Sequence, residues 1–189
     1  MLDDRSRLCC HLQWYLSEGA EELCHGLTQA LLKRSVPRSL LTDNGSAMLA
    51  TETTQGLARL GMVHETTLPF SPHQNGKQEN FWTQIEGRLL PMIEGVADLS
   101  LRQLNEATQA WVELEYNRKL HSELGQSPLV AYQKGPDIGR RRAARMTPLA
   151  AAPIAPVGLA PLLEKLIARY AATGLPPAYL PKDEQGDHR

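Results

Sequence analysis

Residues 39–46, Ser39-Leu40-Leu41-Thr42-Asp43-Asn44-Gly45-Ser46, decide how the chain is read. A short apolar run breaks on Asp-Asn-Gly, a strong turn signal, which predicts a buried strand with Asp43 at its carboxyl end. Just upstream, Ala20 to Lys33 carries Leu23, Leu27, Ala30 and Leu31 at i, i+4, i+7 and i+8, the stripe of an amphipathic helix, and Val36-Pro37 stops it. Downstream, Thr53 to Leu60 predicts a shorter helix closed by Gly61. Met62 to Leu68, rich in β-branched residues, predicts a further strand. Strands alternating with helices predict an α/β chain, with parallel pairing joined by helical crossovers in the later elements.

Further out, Leu2 to Arg7 reads as a polar turn and Leu8 to Leu16 (LCCHLQWYL) as a strand after it. Pro69 to Lys77 holds two prolines and an Asn-Gly pair without an apolar period, which predicts an exposed loop. A helix is expected from Gln78 to Ile93, with Phe81, Ile85, Leu89 and Ile93 on one face. Another is expected from Ser100 to Arg118, capped by Ser100 and built on Leu101, Leu104, Ala107, Trp111 and Leu114. Trp14, Trp82 and Trp111 read as core or interface anchors. Residues 1–135 form the expected core. Beyond it lies a basic stretch with Arg140, Arg141 and Arg142, then a Pro/Ala-rich tail over 147–189 holding 7 of the 13 prolines. That composition predicts a linker over 136–189 with one short helix at 161–172.

Composition narrows the function classes. The chain has 189 residues, 42% of them hydrophobic, enough for a core. Its 20 Lys and Arg nearly cancel 21 Asp and Glu, so attraction to nucleic acid must come from a local patch. Three cysteines, Cys9, Cys10 and Cys24, are too few for a disulfide framework and lack the spacing of a zinc site, which predicts reduced thiols. Neither a leader-like apolar segment nor an 18-residue apolar window is present, so an intracellular chain without a membrane span is expected.

Two carboxylates stand out by position. Asp43 ends a strand, where α/β folds gather ligands, and Glu79 falls in the first turn of a helix, where the dipole favours a negative charge. Carboxylates from separate elements repel in a shared site unless a cation offsets them, and oxygen ligands select Mg²⁺ or Mn²⁺ over zinc. A lone Asp-Asn-Gly, however, is ordinarily just a turn.

The surrounding motifs add to this. Leu41-Thr42-Asp43-Asn44-Gly45-Ser46 and Ser71-Pro72-His73-Gln74-Asn75-Gly76-Lys77-Gln78-Glu79 resemble the T-D-N-G-S and S-P-x-x-N-G-x-x-E segments of DDE-type integrases and bacterial insertion-sequence transposases. The interval of 35 residues between Asp43 and Glu79 is also the one common in that family. Tyr116-Asn117, His121, Leu124-Gly125 and Pro128 resemble its Y-N-x-x-x-x-H-x-x-L-G-x-x-P signature, and Asp3 to Arg7 its D-D-x-S-R turn. The resemblance covers residues 1–135 and implies an RNase H-like integrase core, a mixed sheet flanked by helices.

It implies in turn a DNA transposition or integration core working by Mg²⁺- or Mn²⁺-dependent phosphoryl transfer, with Asp43 and Glu79 as catalytic metal ligands. The family's first Asp precedes the D-D-x-S-R turn, and neither Asp3 nor Asp4 matches its motif. The expected core therefore lacks its first strand and first carboxylate, and solitary activity is expected to be undetectable. The alternative is an inactive remnant that binds DNA or pairs with intact transposase subunits. Asn75, Gly76, Lys77, Arg88, Arg140, Arg141 and Arg142 are the expected DNA contacts. Family members often carry bases one and two turns after the Glu, where this chain has Thr83 and Glu86. The expected partners are DNA and a second subunit, either a copy of itself or an intact transposase, in a bacterial cytoplasm and at the nucleoid when on DNA.

Overall fold

A computed structural model describes residues 1–68 and 76–135. The expected linker, the 161–172 helix, Asn75 and Arg140 to Arg142 lie outside the described residues. Helix α1 (Ala20–Arg34) leads into β1 (Ser39–Thr42), the short α2 (Ser46–Leu49) and α3 (Thr51–Arg59), and β2 (Val63–Thr66) follows. Then come α4 (Gly76–Gln84), a π-helical turn (Ile85–Leu89) and α5 (Leu90–Ile93). Helix α6 (Leu101–Leu114), a 3-10 turn (Tyr116–Arg118) and α7 (Pro128–Gln133) complete the described residues. Strands β1 and β2 pair in parallel with Ser39 opposite Val63 and Thr42 opposite Thr66, so α2 and α3 form the crossover expected of a parallel pair.

Three apolar clusters hold these elements. Leu27 and Leu31 of α1 meet Leu57 of α3 and Met62. Phe81, Ile85 and Leu89 pack with Trp111, Val112, Tyr116, Cys9 and Leu12. Ile93 meets Ala107, Ala110 and Leu114. The predicted stripe Phe81, Ile85, Leu89 and Ile93 is buried throughout. The helix carrying it starts two residues earlier than expected, at Gly76, and widens at Ile85–Leu89, where the Leu90 N–H donates five residues back to the Ile85 carbonyl. Pro91 explains the widening. It has no N–H to offer the preceding turn, and a π turn absorbs that loss without breaking the axis. Ser100 caps α6 reciprocally with Gln103, a full capping box, and the helix proper stops at Leu114 rather than Arg118.

Two expectations fail. The strand at Ser39–Thr42 exists but is not buried: it alternates exposed and half-buried, and Leu41 is 51% exposed. The sheet has only these two strands among the described residues, so β1 has one neighbour there instead of lying inside a sheet. The second failure is Leu8 to Leu16, which forms no strand beyond one antiparallel bridge between Leu2 and Cys9. Its backbone is satisfied by side-chain amides instead. Asn117 accepts from the Cys9 N–H at 2.9 Å and donates to the Cys9 carbonyl at 3.0 Å. Asn105 does the same for Trp14 at 2.8 and 3.0 Å, and Gln109 donates to the Leu12 carbonyl. Each asparagine thus presents one donor and one acceptor to an extended residue, as a neighbouring strand would.

The same face of α6 reaches α1. Asn105, Gln109 and Glu113 recur every four residues and all are buried. Lys33 donates to Gln109, and Arg34 pairs with the Glu113 carboxylate at 2.5 Å. A polar stripe inside the core therefore joins α1, α6 and the Cys9–Trp14 segment. Trp111 is a core anchor as expected, at 1% exposure, whereas Trp82 is 37% exposed and meets Trp14 edge-on at 6.1 Å.

Candidate functional site

Asp43 directly follows β1, at the carboxyl end of the parallel pair. Its turn is built by its own side chain, whose Oδ1 accepts the Gly45 N–H at 2.9 Å. Asn44 ties that turn to the end of β2 by donating to the Thr67 carbonyl at 3.0 Å, and the Thr67 N–H donates to the Thr42 carbonyl at 2.9 Å. Asp43 is exposed and lines a cavity of about 450 Å³ together with Gly45, Met48, His11, Tyr15 and Glu22. His11 is no acid–base partner there. Burial, then the neighbouring Lys33 charge, pushes its pKa down to about 2, so it stays neutral.

Glu79 lies in the first turn of α4, as the sequence predicts, and is exposed. It is not among the residues lining the cavity at Asp43. Two residues before it, Lys77 pairs with Asp4 at 2.5 Å, linking the N-terminal turn to the start of α4. Asp3 is engaged in that turn, its Oδ2 accepting the Ser6 N–H at 2.8 Å and the Ser6 hydroxyl. Among the described residues no group of three or more His, Cys, Asp or Glu side chains is placed to hold a metal ion. The oxygen donors of Asp43 and Glu79 suit Mg²⁺ or Mn²⁺ in kind but not in number, because a two-metal site needs more anionic ligands than these.

Of the expected DNA contacts, the structure brings Gly76, Lys77 and Arg88 to one cavity of about 460 Å³. Arg7, Lys119 and His121, not among the expected contacts, line the same cavity. Arg7 and His121 belong to quoted motifs, so the signal was present in the sequence. What was lacking is the fold that joins residues 7, 77 and 121.

This architecture matches solved structures over about two thirds of the chain. A chain of the simian T-cell lymphotropic virus intasome, solved with a PP2A regulatory subunit, matches at TM-score 0.57 and 16% identity over 70% of this chain. The HTLV-2 integrase catalytic core domain in complex with magnesium matches at 0.56 and 19%, covering 69% of this chain and 80% of that one. The catalytic core domain of BIV integrase matches at 0.51 and 22%, covering 64% and 75%.

The fold is that of retroviral integrase catalytic cores.

The match spans 47% of the simian viral chain, about half its length. No protein-family model matches the sequence, and no curated protein does. Within this fold Asp43 directly follows β1 and Glu79 lies in α4. No helix among the described residues is long and apolar enough to cross a membrane.

Proposed function

We propose that this chain is a DNA-processing core of the DDE transposase or integrase type, acting in a bacterial cytoplasm by metal-dependent phosphoryl transfer. Asp43 and Glu79 are its two metal-holding carboxylates. The observation that carries this reading is their placement within an integrase-core fold: Asp43 at the end of β1 and Glu79 in the first turn of α4, in motif order and at the family interval. A bound Mg²⁺ or Mn²⁺ would supply Lewis-acid polarisation of a phosphoryl oxygen. Asp43 and Glu79 alone do not complete such a centre, so catalysis needs a further carboxylate, from residues outside those described or from another subunit.

A second reading is a non-catalytic partner that binds DNA or pairs with intact transposase subunits. The carboxylates of the N-terminal turn favour it, because Asp3 is held by Ser6 and Asp4 by Lys77. Incubating the full chain with supercoiled plasmid and duplex oligonucleotide in Mg²⁺ or Mn²⁺ separates the two. Both readings expect duplex binding that weakens steeply with salt. Because the centre needs a further carboxylate, the assay is run on this chain and on one extended by a first strand bearing its Asp. Nicking by either that disappears in Glu79→Gln supports the catalytic reading, and binding without nicking by both supports the second. A chain that binds no DNA at low salt overturns both.

A further inference from the structure

The cavity beside α4 has the chemistry of an anion site. Four cationic side chains, Arg7, Lys77, Arg88 and Lys119, line it against the single carboxylate of Glu123. In a protein whose charges otherwise nearly cancel, that concentration is local and one-signed. Arg7 is held there at a backbone cost. Its φ of 59° lies in the left-handed region that a residue with a side chain rarely adopts, and such strain persists where surrounding contacts impose it. One of those contacts is the Tyr116 hydroxyl, which donates to the Arg7 carbonyl at 3.1 Å.

Lys77 is paired with Asp4 at 2.5 Å, but Arg7 and Arg88 are only loosely engaged. Arg7 and Glu123 stand 3.9 Å apart, too far for a direct hydrogen bond. The Arg88 guanidinium lies over the Trp111 ring at 5.4 Å, and its contact to Gln84 is long at 3.4 Å, leaving donors for a ligand. His121 adds an independent sign. Its Nδ1 is buried without a hydrogen-bond partner among the described residues, a costly state unless something fills it. His121 itself lines the cavity.

We propose that the cavity between Arg7, the Lys77–Arg88 face of α4 and the Lys119–His121 loop is a phosphate site that holds a phosphodiester of a DNA strand. The site rests on the DNA-processing reading and names where the strand is gripped. Bases at 7, 119 and 121 stand in for those missing at 83 and 86. A phosphodiester matches the site because its two unesterified oxygens accept from guanidinium, ammonium and imidazole donors together.

The test is fluorescence anisotropy of a labelled duplex with the full chain across a salt series. Lys119 is exposed, so Lys119→Gln leaves packing intact. This variant is expected to weaken binding about 3–10-fold at low salt and to reduce the log–log salt slope by about 0.9. Lys119→Arg should restore both values, while Lys134→Gln, exposed and outside the cavity lining, should change neither. Wild-type binding matched by Lys119→Gln in affinity and slope overturns the site but leaves the DNA reading standing. Absence of wild-type binding overturns both. His121 imidazole resonances that respond to inorganic phosphate but not to oligonucleotide would assign the cavity to a free anion and overturn the proposal.

Discussion

Replacing Asn117 by Leu is expected to destabilise the protein by about 2–6 kcal/mol, read as a fall in the urea midpoint at unchanged m-value. The substitution keeps roughly the shape of the side chain but removes both partners of Cys9, whose N–H and carbonyl are fully buried against the Asn117 amide. Water cannot replace them, so each group bears its desolvation cost. Asn105→Leu makes the same deletion at Trp14, which is only half-buried, and should cost less because solvent reaches that end of the segment. Equal, small effects at both positions would show that the amides do not act as the segment's pairing partners.

Breaking the buried ion pair is the second large effect. Glu113→Gln leaves Arg34 uncompensated beside Lys33, and removing one partner of such a pair costs about 3–5 kcal/mol. It also has a pH signature. Burial lowers the Lys33 pKa from 10.5 to about 8, and the Glu113 carboxylate opposes that shift. A base with a folded pKa below its unfolded value binds fewer protons when folded in the interval between them. Stability should therefore be flat with respect to Lys33 below pH 8 and rise by on the order of 2–3 kcal/mol as pH climbs toward 10.5. In Glu113→Gln the rise should begin at lower pH, because the opposing charge is gone. Burial also raises the Cys9 and Cys10 pKa values, which lowers stability above pH 9. The lysine's part is therefore read as the difference between wild type and Lys33→Met in urea unfolding at pH 7, 8, 9 and 10. A difference that does not grow with pH would contradict the buried-lysine account.

Much of the architecture was legible because it rests on local chemistry. Helix α1 follows from its apolar stripe, the start of α6 from Ser100 and Gln103, and the positions of Asp43 and Glu79 from a strand-ending turn and a helix start. Leu8 to Leu16 was misread for a physical reason. Composition reports that a segment prefers to be extended, but not whether strands or side-chain amides will pair with it. Asn105, Gln109 and Glu113 escaped for a related reason, since hydropathy periodicity assigns a polar stripe to solvent and these three face buried partners. The cation cavity assembles Arg7, Lys77 and His121 from three distant stretches, a juxtaposition that only the folded chain creates.

The central claim is that Asp43 and Glu79 hold one cation together. Manganese titration followed by amide NMR tests it directly, because Mn²⁺ broadens only nuclei near where it binds. Two carboxylates with water completing the shell predict a site of about millimolar affinity. Residues 44–46 and 77–80 should broaden together over that range, and Asp43→Asn or Glu79→Gln should abolish broadening in both segments. Broadening confined to one segment, or unchanged around Asp43 in Glu79→Gln, would contradict it.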